Sequence, residues 1–360
     1  MKRLPDRRQA VKSKVVSIVI GIFALLLVGG AGPTVSAAIG ALAPAHNVQA
    51  DLFRPGDVIF TAFDRVVTVN PSRNRTDFIL TAIVIQTDAF PRALLGIDYD
   101  SASGDVYVVD SGGATADNFV FAGRVLRISD ADGSASDVGV CADFTRPDSA
   151  NCFEDAFDLA VMPDGRIAVT NPIRRDSDPA NNNDGEVWIV DPLLGTRILL
   201  AKANLLWDPH GITVDPSGTI YVADTRSNGG AVISIDPNTG AQALVAMGGD
   251  LLFASPSGID WDATTGTLVV AAQGSGVIRV DPALPDGSNQ TLIAALRAPQ
   301  IFPASVAVAP DGTIVNADFG AFRHNGGIFQ INLAMPRPIP IFINLSRNEV
   351  CCVFNVDIVQ

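Results

Sequence analysis

One pattern recurs from about Arg92 to Asn332, and it limits what this chain can fold into more than any other feature. Its clearest copy is Asp208-Pro209-His210-Gly211-Ile212-Thr213-Val214-Asp215, the turn Pro216-Ser217-Gly218, and the run Thr219-Ile220-Tyr221-Val222-Ala223-Asp224. A loop leads to Gly230-Ala231-Val232-Ile233-Ser234-Ile235-Asp236, and a fourth run follows Thr239-Gly240. The same order returns at Gly96-Ile97-Asp98, Phe157-Asp158-Leu159, Gly258-Ile259-Asp260 and Ser305-Val306-Ala307, which makes five copies.

Short β-branched runs joined by Pro-x-Gly or Asp-Gly turns predict a small antiparallel meander in each copy. One such sheet cannot bury both of its faces. Packing the copies around an axis buries both and leaves only short edges. A sixth blade can be assembled from the chain ends: 57–62 match a second strand, 65–71 a third, and 354–359 supply the missing first. The expectation is an all-β, six-bladed β-propeller over 51–360, its first blade closed by the C-terminal strand.

Residues 1–50 read differently. Lys2, Arg3, Arg7, Arg8, Lys12 and Lys14 precede an apolar run from Val15 to Val28, then small residues, which is the succession of a signal peptide. Cleavage after Ala37, Ala43 or Ala50 satisfies the small-residue rule, and an uncleaved membrane anchor is the alternative. The expected location is secreted or periplasmic, with membrane contact only through this segment if it stays attached. Four cysteines fit export, and Cys141 and Cys152, bracketing one polar loop, form the first candidate disulfide. Cys351 and Cys352 are left as a vicinal bridge or free thiols.

With 38 acidic against 25 basic residues and a net charge of -13, the chain has no basic stripe for phosphates, so nucleic acid is not an expected partner. An acidic shell suits solubility or attraction of cations.

The copies resemble the NHL and SMP-30/gluconolactonase-like group of six-bladed propellers, with Tyr221-Val222-Ala223-Asp224-Thr225 and Ile235-Asp236 nearest the NHL pattern. The SMP-30-like resemblance implies a metal held by a Glu, an Asn and an Asp, the Asp doubling as a base. Asn171 and Asp224 match two of these, and no Glu stands near Asp51 to supply the third. Pro209-His210-Gly211-Ile212 is also similar to a segment of streptogramin lyases, propellers that use His and Glu with Mg²⁺. Here the neighbouring blades carry Gln273 and Ser257 instead.

The connections 111–123, 172–185 and 319–327 are long, so a site is expected where they gather, at one mouth of the channel. Aligned second strands place Ala62, Asp110, Asn171, Asp224, Ala272 and Asp318 at equivalent mouth positions. Asp110, Asn171, Asp224 and Asp318 are oxygen ligands that suit Ca²⁺ or another divalent cation. Their alternative role is capping of the following loop's amides. His210 and Asp224 are the candidate catalytic pair, and His324 falls in a loop of the same face. Phe119, Phe121, Phe319 and Phe322 join His324 as a candidate ligand rim. Ser257 and Ser305 start inner strands, but no triad spacing accompanies them.

Two functions follow. The first is a module that binds a small molecule or a protein at the channel mouth. The second is a divalent-metal-dependent hydrolase of lactone-like esters, with a streptogramin-lyase-like enzyme ranked below it.

Overall fold

The computed structural model describes residues 52–62, 65–70, 92–113, 123–138, 152, 153, 155–172, 185–225, 229–248, 255–297, 300, 302–321, 326–331, 333, 338–343 and 353–360. Those residues form six antiparallel sheets, the blades of a propeller. The segment expected to direct export, and Cys141, Cys351 and Cys352, lie outside them. Among the described residues, no helix is long and apolar enough to cross a membrane.

The fourth blade shows how the repeat becomes structure. Pro209–Val214 is innermost, followed outward by Ile220–Asp224, Ala231–Ile235 and Gln242–Met247. All five residues of Ile220–Asp224 are buried, because neighbouring blades cover both faces of a second strand. Such strands therefore read as continuous apolar runs instead of alternating ones. The turn between the first two strands needs Gly218, whose φ of 89° is disfavoured for any residue with a Cβ.

The first blade is closed by the opposite end of the chain. Val353–Ile358 pairs with Val58–Ala62, which pairs in turn with Arg65–Val69. The register sets Ile59 opposite Asp357 and Phe60 opposite Val356. Val58, Phe60, Val353, Val356 and Ile358 then share an apolar cluster with Ala317 and Ile328 of the sixth blade.

Inner strands crowd at the axis. A Cβ on Gly211 would lie 2.8 Å from the Gly258 Cα, so two blades meet there backbone to backbone. Side chains then stitch each inner strand to the next. Asp357 Oδ2 accepts from Tyr99 N at 2.7 Å, Asp98 Oδ2 from Val161 N at 2.6 Å, and Asp158 Oδ2 from Ile212 N at 3.3 Å. Thr213 Oγ1 donates to Asp260 Oδ1 at 3.1 Å, Asp260 Oδ2 accepts from Val308 N at 2.7 Å, and Ser305 Oγ donates to Asn355 Oδ1 at 2.6 Å. These bonds run from the first blade through the sixth and back to the first.

Candidate functional site

The mouth is built by the pairing of first and second strands. Pro209 faces Asp224, Pro256 faces Ala272 and Pro303 faces Asp318, so the start of each inner strand and the end of its neighbour share one end of the channel. Asp110, Asn171, Asp224 and Asp318 are buried at that end, as their spacing predicts.

Each of the four is engaged in its own blade. Asp110 Oδ2 takes Arg124 Nε at 3.0 Å. Asn171 accepts from Asp155 N at 2.8 Å and donates to Glu186 Oε2 at 2.9 Å. Asp224 Oδ2 accepts from Trp207 N at 2.7 Å and Asp208 N at 3.0 Å. Asp318 Oδ1 accepts from Phe302 N at 3.1 Å and Gly320 N at 2.9 Å. Asn171, Asp224 and Asp318 thus cap amides of the loop that leads into their blade's inner strand, Asp318 also caps Gly320 N in the loop that follows it, and Asp110 is held by an ion pair to the third strand. Among the described residues, no three of His, Cys, Asp or Glu gather closely enough to hold a metal ion.

His210 and Asp224 are linked through Asp208. His210 Nε2 lies 3.5 Å from Asp208 Oδ1, while Asp208 Oδ2 accepts from Thr225 Oγ1 at 2.8 Å. The imidazole is buried and stacks on Phe157, with ring centroids 4.0 Å apart and planes 14° apart. Packing of this kind fixes the ring against one loop.

Of the expected rim, Phe319 is described and lies half-buried with its ring 5.3 Å from that of Phe354. Phe119, Phe121, Phe322 and His324 lie outside the described residues. The structure adds Phe157, Trp207 and Phe302, each placed just before an inner strand, and Trp207 is 42% exposed. An aromatic collar thus borders the capped acids.

Deeper in the channel lies a second group, carried in or next to the inner strands of the blades. Asp98, Asp158, Asp260 and Asp357 line a polar cavity of about 40 Å³ together with Thr213, Ser305 and Asn355. That volume holds on the order of two waters, far below the size of a drug-like pocket. Burial pushes the Asp158 carboxyl well above the ordinary carboxylate range. Burial, then the neighbouring Asp357, raises Asp260 to about 7, and burial raises Asp357 to about 6. Asp98 is raised well above its usual value by burial and then by Asp357.

The NHL repeat family model matches residues 206–229, the stretch containing Trp207, Asp208, His210 and Asp224. No curated protein matches the chain. Among solved structures, one in a nidogen/laminin complex is similar at a TM-score of 0.60 and 17% identity, over 84% of this chain and 98% of that one. TolB from Acinetobacter baumannii is similar at a TM-score of 0.56 and 11% identity, over 84% of this chain and 66% of that one. Virginiamycin B lyase from Staphylococcus aureus reaches a TM-score of 0.47 at 16% identity, over 71% of each chain. At these identities the first two likenesses concern the fold alone.

Proposed function

We propose that this six-bladed propeller with its NHL repeat is an exported module that binds a protein or a small molecule at the channel mouth. The observation that carries this reading is the collar of Phe157, Trp207, Phe302, Phe319 and Phe354 around acids already engaged in capping. Aromatic side chains supply large contact area at low entropic cost, and an exposed Trp is the residue type most often found at binding hot spots. The likeness in fold to a structure solved in a nidogen/laminin complex is compatible with protein binding. The charged N-terminal segment with its apolar run supports export.

A metal-dependent hydrolase is the second reading, favoured by the Asp208 and His210 pair beside Asp224. In it His210 would serve as base, and a cation near Asp224 would polarise the carbonyl. The two are separated by offering a panel of lactones and esters to the full chain, with Ca²⁺ and with Mg²⁺. The binding module gives no turnover that depends on Asp224 or His210, whereas turnover abolished in both Asp224→Ala and His210→Ala overturns it. A photocrosslinking residue placed at Trp207 provides the positive arm. It should yield one defined adduct in the exported fraction that excess unlabelled protein competes away.

A further inference from the structure

Asp98 and Asp357 are brought together by the ring closure itself. Asp98 belongs to the inner strand of the second blade, Arg92–Tyr99, and Asp357 to the C-terminal strand, Val353–Ile358. One amide serves both: Tyr99 N lies 2.9 Å from Asp98 Oδ1 and 2.7 Å from Asp357 Oδ2. The two carboxyl groups thus converge on a single N–H and line the same cavity. Ionised carboxylates only accept, so two of them gathered at one donor repel unless a proton sits on one.

The surroundings offer that proton no substitute. The groups facing the pair are Asp158 and the Ala160 backbone from the third blade, Thr213 from the fourth, Asp260 from the fifth, and Ser305 and Asn355. No Lys, Arg or His is among the residues that line this cavity. Thr213 is engaged with Asp260, and Ser305 with Asn355, so neither hydroxyl donates to the pair.

We propose that a proton held between Asp98 and Asp357 latches the C-terminal strand to the second blade, making closure of the ring sensitive to pH. The proton sits on one of the two carboxyls and removes their repulsion, while Asp357 keeps its bond from Tyr99 N. Loss of the proton sets two like charges side by side in a small cavity already holding Asp260 and Asp158. The strain falls where the two ends of the chain meet, because Asp357 sits on the strand that completes the first blade. Asp260 lines the same cavity and adds to the repulsion as it ionises.

Hydrogen exchange on the full chain tests this directly. Protection of 353–358, corrected for the intrinsic pH dependence of exchange, should fall roughly tenfold or more between pH 5 and pH 8. Outer strands such as Thr196–Lys202 should change far less. Asp98→Asn keeps a neutral donor beside Asp357 at every pH, so its protection should stay level across that range. Infrared spectroscopy gives a second readout on the unmodified chain, which stands even if the variant does not fold. A protonated-carboxyl band, to which Asp158 and Asp260 also contribute, should be present at pH 6 and shrink as the pH rises. Equal pH dependence in the original chain and in Asp98→Asn, or absence of that band at pH 6, would overturn the latch.

Discussion

Asn355 Nδ2 donates to Asp158 Oδ1 across 2.7 Å, joining residues 197 positions apart and tying the C-terminal strand to the third blade. The same amide's oxygen accepts from Ser305 Oγ at 2.6 Å, so one side chain spans three blades. Both Asn355 and Asp158 are more than nine-tenths buried.

Truncation at this point should be costly. Asn355→Ala removes three buried bonds, to Ser305, Asp158 and Val356 N, and leaves Asp158 short of a donor, a loss of about 2–4 kcal/mol. For a domain of this size that corresponds to a fall of roughly 3–6 °C in Tm. Thermal unfolding followed by circular dichroism measures it. Asn355→Asp should be worse at pH 7 than at pH 5, since it adds a carboxylate beside one that is already hard to ionise.

The pH dependence of stability should run opposite to that of most acidic proteins over one interval. Asp260 has its folded pKa raised from 3.8 to about 7, so it binds its proton more tightly when folded. Its contribution is full below about pH 4 and is lost as pH rises through about 7. Asp357, raised to about 6, adds in the same direction. Surface acids such as Asp132, Asp164 and Asp311 are lowered by local hydrogen bonds, so their contribution is lost only at more acidic pH, as pH falls through their folded values. Urea midpoints should therefore decline from pH 5 to pH 8, and Asp260→Asn should flatten that decline.

Crowding at the axis predicts a severe effect from a single methyl group. A Cβ on Gly258 would overlap the Ser305 backbone, and neither inner strand can move without dragging its blade. Gly258→Ala should cost about 3 kcal/mol or more, visible as lost soluble yield or a lowered urea midpoint. Gly165→Ala makes a useful contrast, because nothing lies within 4 Å of the added methyl. Its cost should come only from the φ of 83°.

The blades were legible in the sequence because a second strand covered on both faces must be apolar throughout, and turn residues separate such strands at regular intervals. The closing strand was legible because Val58–Ala62 and Arg65–Val69 lacked an inner partner. The mouth positions of Asp110, Asn171, Asp224 and Asp318 followed from the same alignment. Most of their hydrogen-bond partners did not, since Asp155, Trp207 and Phe302 reach them through loop geometry, whereas Arg124 stands opposite Asp110 in the neighbouring strand. The channel acids were in view as the third residue of Gly-Ile-Asp at 96–98 and 258–260. Only a ring of fixed radius shows that these positions from different blades meet. The sign was an acid repeated at one position of strands that are otherwise mostly apolar and buried.

Asp110 offers the sharpest separation between a structural carboxylate and a ligand-binding one. It is fully buried and paired with Arg124 Nε at 3.0 Å, and Arg124 also approaches Asp137 at 3.7 Å. Removing one partner of a buried pair strands the other charge, so Arg124→Met should cost about 3–5 kcal/mol. If Asp110 serves only that pair, Asp110→Asn should rescue much of the loss in the double variant, because no charge is left to strand. Urea unfolding of the two single variants and the double variant gives the coupling. Were Asp110 instead reserved for a cation, Asp110→Asn alone would leave the apo protein nearly as stable and would remove a stabilisation by Ca²⁺ seen in the original chain. The buried Arg124 contact predicts the first pattern, with a coupling well above 1 kcal/mol, since the pair sits where water does not screen it.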